Sequence, residues 1–288
     1  MKHAILILSS YGVDYLVENI KQYSEYQDIF DIFVHVDGKT YEDILSHSVS
    51  GFRQYVGKLT EMNNIKYVGH EYQAKRYSFE LLLSEFHLFR RAIESDTYCM
   101  YHIVSESCYL YKDKDIFLDF FKENPDTNLI GLEILSENIF DKKTGIKNVY
   151  KGPQWMSLSH KTLSKIIKKH LFERICNDWE NGLIGKPDCS GAIDEIVLHT
   201  YITNFIIDDM EKETHFHSRF ILWGDYGERT NNGSPNTLST DFLKKGIEMS
   251  EYELKNSFWC RKIDYKNPES KNFLKYLKIN YGKIKIER

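Results

Sequence analysis

Ala4-Ile5-Leu6-Ile7-Leu8-Ser9-Ser10, followed by Asp31-Ile32-Phe33-Val34-His35-Val36-Asp37-Gly38, is the stretch whose reading decides the fold. The first run is apolar without alternation and stops on two hydroxyls, as a strand covered on both faces does. Between the runs, Val13, Leu16, Val17 and Ile20 recur at the spacing of one helical face. The second run ends in an acidic turn. Strand, helix and strand in this order make a βαβ unit, so the first half should hold a mainly parallel sheet.

Working outward, residues 65–68 read as a short strand, and Ser78 is placed to cap a helix with Phe79, Leu82, Leu83 and Phe86 on one face. Residues 98–104 and 129–135 read as strands with a helix near 115–121 between them. Past Gly152-Pro153 come a strand over 155–158 and a helix from about 161 to 175. Residues 181–190 hold two glycines and a proline and read as a loop. Ile193, Ile196, Val197, Tyr201 and Ile202 then restore helical spacing. A strand over 219–223, a long loop over 225–235, a short helix opened by Ser239-Thr240-Asp241 and a strand over 258–263 complete the pattern. The expected architecture is a single α/β domain over 1–264, with 265–288 as a basic extension.

Composition narrows the function. The 288 residues suffice for a sizeable core, and a net charge of −4 argues against a nucleic-acid partner. Five cysteines lie scattered with no CxxC pair, which fits reduced thiols rather than a zinc site or a disulfide framework. The apolar run at 4–8 is too short for a signal peptide or a membrane span. A soluble, cytoplasmic protein is expected. The segment from Tyr265 carries Lys266, Lys271, Lys275, Lys278, Lys283, Lys285 and Arg288 against Glu269 and Glu287, with Phe273, Leu274 and Leu277 interspersed. It suits either a helix packed on the body or a basic face resting on anionic lipid.

Two short segments carry the chemistry. Asp194-Glu195 opens an apolar helix, where carboxylates either complement the helix dipole or supply a general base. Arg261-Lys262 stands in the aromatic strand Phe258-Trp259-Cys260 and can grip phosphate oxygens, although alternation turns only one of the two to a given face. Asp37 ends a strand where ligands of open α/β sheets gather, and reads as a nucleotide contact or as a turn residue; Ser9 and Ser10 end the neighbouring strand. Trp155 fits a sugar-stacking face or a core position. His35 and His102 lie within strands and read as structural. Asp113-Lys114-Asp115 has the outline of a metal-binding Asp-x-Asp but reads as a solvated turn.

Several segments, in order, resemble the core-2/I-branching β-1,6-N-acetylglucosaminyltransferase family, glycosyltransferase family 14, in a bacterial form. They are the strand from His3, the 31–39 segment with His35, Asp37 and Lys39, and Tyr77-Ser78 leading into its helix. Tyr101-His102-Ile103-Val104-Ser105, Gly152-Pro153-Gln154-Trp155-Met156-Ser157-Leu158-Ser159, Asp194-Glu195, Arg219 to Trp223, Ser234-Pro235 and Cys260-Arg261-Lys262-Ile263-Asp264 follow. The resemblance implies a GT-A-like, Rossmann-type fold. It also implies an inverting transfer of an N-acetylglucosamine- or xylose-like sugar from a UDP-sugar to a hydroxyl of a glycan or lipid-linked saccharide, with no metal or other cofactor. Glu195 becomes the base with Asp194 beside it, Lys262 and Arg229 the cations on the diphosphate, and Arg219 the rival to Arg229. Two positions depart from the family pattern: Cys108 replaces an aspartate, with Glu106 the nearest acid to substitute for it, and Lys75-Arg76-Tyr77 replaces a Trp-Gly-Gly. The first departure also motivates a rival reading, a catalytically silent nucleotide- or glycan-binding protein. A metal-dependent transferase using Asp113 and Asp115 is the third.

Overall fold

A computed structural model describes residues 2–10, 13–23, 26–37, 64–74, 77–185, 192–210, 214–215, 219–222 and 235–286. The opening βαβ unit is present as read. β1 (His3–Ser9) is buried along its whole length, α1 (Val13–Lys21) crosses over, and β2 (Phe30–Val36) pairs parallel to β1 from His3↔Phe30 to Ser9↔Val36. Ile5, Leu6 and Ile7 are all removed from water, each contributing about 1.5–3 kcal/mol. β3 (Ile65–Gly69) adds to the far side of β2, and β4 (Met100–Ser105) lies parallel on the other side of β1.

The central sheet has seven strands in the order β10-β6-β9-β4-β1-β2-β3. β6 is Asn128–Leu129, β9 is Ser157–Ser159 and β10 is Thr214–His215. β9 runs antiparallel to both β4 and β6, and the other neighbouring pairs are parallel. The expected mixed, mainly parallel sheet flanked by helices is therefore what the chain forms. Numbering restarts outward from β1 in both directions, so a topological switch point falls between β1 and β4.

One helical layer holds α2 (Phe79–Ser95), α4 (His160–Lys168), α5 (Leu171–Glu180) and α6 (Ile193–Phe205); its residues form the largest apolar cluster, with Phe86 stacked on Phe172. α1 and α3 (Lys114–Glu123) bury a second cluster on the other face. A small second sheet, β11-β12-β5, stands beside the first. In it β12 (Trp259–Arg261) runs parallel to β11 (Arg219–Ile221) and antiparallel to β5 (Tyr109–Leu110). α7 (Asp241–Lys244), α8 (Glu251–Asn256) and α9 (Pro268–Tyr281) accompany it, and Phe273 and Leu277 of α9 enter its core. Lys112 fastens this end: its buried ammonium donates to the carbonyls of Lys255 at 2.6 Å and of Tyr281 and Ile284 at 2.9 Å, and burial lowers its pKa to about 8. No helix among the described residues is long and apolar enough to cross a membrane.

Four expectations are corrected. The strand read over 129–135 is broken at Gly131, whose φ of 38° leaves the extended region; β6 stays in the main sheet while β7 (Glu133–Leu135) pairs with β8 (Val149–Lys151). The helix read over 161–175 is two helices, because His170 turns left-handed at φ 51° between α4 and α5. Ser78 occupies the N-cap position of α2, but its side chain makes no cap bond. The short helix opened by Ser239-Thr240-Asp241 is present as α7, but it is not the last before residue 258: α8 follows it past Gly246, at φ 66°.

Candidate functional site

A cleft of about 1210 Å³ opens over the carboxyl ends of the central strands, at the switch point where open α/β sheets bind ligands. Its floor follows the strand order. Ala74 and Tyr77 come after β3, His35 and Asp37 from the end of β2, Ser9 and Ser10 from the end of β1, and Ser105 and Glu106 from the end of β4. Gly152, Gln154 and Trp155 lie ahead of β9, and Asp194 and Glu195 open α6 on the far wall.

The β1 and β4 ends are tied together. Ser10 donates its backbone N–H to Glu106 Oε1 at 2.7 Å, and Asp37 donates its own to the Ser9 carbonyl at 2.8 Å. The Ser9 hydroxyl is buried with no hydrogen-bond partner among the described residues, an unmet polar group that a ligand in the cleft can satisfy. His35 accepts from the backbone N–H of Tyr72 at 3.2 Å, and burial holds its pKa down to about 4, so it is neutral.

Arg261 supplies a cation at the β4 end of the cleft. Its guanidinium lies 4.5 Å from the centroid of the Trp155 ring and donates to the hydroxyls of Ser105 and, at 2.7 Å, Ser107. The side chain is 9% exposed yet lines the cleft. A cation held this firmly has lost little further entropy to give up on meeting a phosphate. Lys262, the residue expected to face the diphosphate, does not line the cleft. Arg261, the last residue of β12, does line it.

Across the cleft, Glu195 is partly exposed, and its Oε2 lies 3.6 Å from the Lys151 ammonium. Asp194 beside it is 2% exposed. Behind both, Glu85 of α2 is wholly buried; it accepts from Gln154 Nε2 at 3.2 Å, while Oε2 has no hydrogen-bond partner among the described residues. Burial first, then the charges of Asp194 and Glu195, push its carboxyl well above the usual range, toward the protonated form. Gly152 is required by close approach: a Cβ there would meet His199 Cδ2 at 2.3 Å. Its N–H donates to the Glu195 carbonyl at 2.9 Å, joining the β8 end to the first turn of α6.

Of the residues singled out in the sequence, Ser9, Ser10, Asp37, Glu106, Trp155, Asp194, Glu195 and Arg261 meet on this one cleft. Arg229 and Ser234 lie outside the described residues. Arg219, the rival cation, is fully buried away from the cleft, donating to the Ile103 carbonyl at 2.7 Å and lying 4.1 Å from the Trp259 centroid. Cys108 is buried beneath the 105–107 turn, within hydrogen-bond reach of Ser105 Oγ at 3.4 Å, whereas Glu106 is on the cleft wall. Asp113 is the N-cap residue of α3 and Asp115 lies in its first turn; neither lines the cleft. Among the described residues no group of three His, Cys, Asp or Glu is placed to hold a metal ion.

His102 is structural as read, sealed with His3 at 3.0 Å and Ser157 at 2.8 Å under Phe117, Phe121 and Trp259. His35, by contrast, belongs to the cleft. Lys151, Gln154, Tyr77 and Tyr252 also line it. The first three stand in or beside segments carrying the family resemblance, and so were within reach of the sequence; nothing in the sequence marks Tyr252.

No family model and no curated protein matches the chain. Among solved structures it is similar to the apo form of the glycosyltransferase GlyE of Streptococcus pneumoniae TIGR4, with 10% identity and a TM-score of 0.43 over 98% of this chain and 61% of that one. It is also similar to S. aureus TarS, with 12% identity and a TM-score of 0.34 over 57% of this chain and 29% of that one. A third is the 4-diphosphocytidyl-2C-methyl-D-erythritol synthase of Anaerococcus prevotii DSM 20548, with 13% identity and a TM-score of 0.37 over 84% and 96%. The chain thus spans less than two thirds of the length of GlyE and of TarS. Likeness this faint assigns no activity to the chain.

Proposed function

We propose that the protein is an inverting glycosyltransferase that moves a sugar from a UDP-sugar to a glycan hydroxyl, without a metal. The observation that carries this is the pairing, across one switch-point cleft, of a fixed guanidinium at the β4 end with an accessible carboxylate opening α6. Asp37 and the unmet Ser9 hydroxyl offer polar contacts to a nucleoside, and Arg261 takes the diphosphate.

In the proposed reaction, Glu195 accepts the proton of the acceptor hydroxyl as that oxygen attacks C1 of the donor sugar from the face opposite the nucleotide. The C1–O bond to the diphosphate breaks, and the electron pair leaves on UDP. Arg261 meets the charge that develops on the leaving oxygen, an interaction stronger in the transition state than before it. Lys151 pairs with Glu195 and holds its carboxylate at the cleft wall. Lys262 and Arg229 remain proposed as further phosphate contacts, Trp155 as a wall of the sugar site, and Glu106 as the acid that stands in for the missing family aspartate.

A donor sugar like N-acetylglucosamine or xylose, membership of the core-2/I-branching family and a lipid-linked acceptor belong to the same proposal and rest on the resemblance. The lysines of α9, with Ile279 81% exposed among them, support contact with an anionic membrane surface. The test is turnover of a panel of UDP-sugars with saccharide acceptors, comparing Glu195→Gln with the parent. Loss of about 10²–10⁴-fold is expected of a missing general base. A variant as active as the parent would remove Glu195 from that role.

A further inference from the structure

The cleft holds an aromatic side chain that the reaction above does not use. Tyr77, just ahead of α2, is 45% exposed and lines the cleft next to Ala74 and Leu81. Its φ is 65°, in the left-handed region that a bulky residue adopts at a cost and that glycine adopts freely. Strained positions of this kind concentrate where a ligand is held. Two of the large apolar side chains left exposed, Tyr77 and Tyr252, line the cleft; Tyr252 is on α8, which packs against β11 toward the Arg261 end.

Strand order sets how far the β3 end of the cleft, which the segment leading to Tyr77 leaves, lies from the β4 end. Tyr77 follows β3, and Arg261 is anchored on Ser105 and Ser107 at the end of β4. In the sheet β3, β2, β1 and β4 are consecutive neighbours. Three spacings of roughly 4.8 Å make about 14 Å, of the order of an extended nucleoside diphosphate from base to terminal phosphate. Asp37, just after β2, lies next to the β3 end, and Ser9 at the end of β1 lies further along, where the ribose would pass. A sugar ring, the other flat ligand an exposed tyrosine could take, has its reacting carbon beside Glu195 and Arg261 and so belongs at the opposite end.

We infer that Tyr77 is the platform on which the nucleobase of the donor stacks, so that the β3 end of the cleft is the base subsite; this rests on the nucleotide-sugar reading of the cleft. A π face is common to all bases, so stacking supplies affinity, while Asp37 is placed to choose among bases by the hydrogen they offer.

The full chain is titrated calorimetrically with UDP, CDP, ADP, GDP and inorganic pyrophosphate. At least one nucleoside diphosphate should bind tenfold or more tightly than pyrophosphate. Tyr77→Gly, which the backbone accepts, should erase about tenfold to a hundredfold of that margin and leave pyrophosphate binding unchanged, while Tyr77→Phe keeps it. Tyr77→Leu, apolar but without a π face, reports the same loss should the glycine variant not melt cooperatively. An undiminished margin in Tyr77→Gly or Tyr77→Leu, or an effect confined to the acceptor KM, overturns the base subsite alone. A parent protein that binds no nucleoside diphosphate better than pyrophosphate overturns the nucleotide-sugar reading beneath it as well.

Discussion

Arg219 and Arg261 stand on adjacent parallel strands, in a register that sets Arg219 against Trp259 and Ile221 against Arg261. Each guanidinium lies over a tryptophan ring, at 4.1 Å and 4.5 Å, and each is buried. Arg219 is sealed between the two sheets and donates to a strand carbonyl, and burial lowers its pKa to about 10. Arg261 is propped on two serine hydroxyls with its side chain on the cleft. An arginine over a tryptophan, Trp259 for Arg219 and Trp155 for Arg261, thus closes a core in one place and equips a site in the other. What differs is whether the strand has run far enough to reach the open end of the sheet.

The largest effect should separate the two at the chemical step. Arg261→Ala is expected to lower kcat about 10²–10³-fold, the size found when a donor to a developing oxyanion is removed, with steady-state kinetics as the check. A fall of similar size in Lys262→Ala, with Arg261→Ala left active, would give the diphosphate to Lys262 instead. Arg219→Ala should do the opposite. Loss of its desolvated cation–π contact costs about 2 kcal/mol in denaturant unfolding, while turnover per folded molecule stays near that of the parent.

A smaller effect tests the uncompensated carboxyl behind the site. Burial raises the Glu85 carboxyl in the folded chain, so that it releases its proton at a higher pH than the unfolded chain, which does so above about pH 4.5. The unfolded state therefore binds fewer protons, and stability falls as pH rises through that value. Glu85→Gln, which retains an acceptor for Gln154, should gain on the parent by about 1.4 kcal/mol per pH unit from pH 4.5 up to the folded pKa. Unfolding curves between pH 4.5 and 7.5 that run parallel for the two proteins would show an ionised Glu85.

The same pair of arginines shows what the sequence could reveal. The opening βαβ unit was legible because β1 is apolar at successive positions and α1 keeps a helical stripe, and both patterns depend only on near neighbours. The carboxylate pair of α6 and the hydroxyls ending β1 were visible for the same reason. Which of Arg261 and Lys262 faces the cleft was not, because alternation fixes only that they differ; the phase comes from Ser105, Ser107 and Trp155, distant in sequence. Gly131 and His170 broke elements whose apolar spacing continued across them, since a positive φ leaves no mark on hydrophobic period. Nor does spacing reveal that Lys112 is buried to hold three carbonyls at the C-terminal end.

The measurement closest to the central claim is the affinity of UDP relative to uridine, by calorimetry in excess EDTA, for the parent and for Arg261→Ala. A fixed protein cation predicts that the parent binds UDP more tightly than uridine without any divalent ion, and that Arg261→Ala abolishes the difference. UDP binding that appears only when a divalent ion is added, and is unchanged in Arg261→Ala, would contradict it.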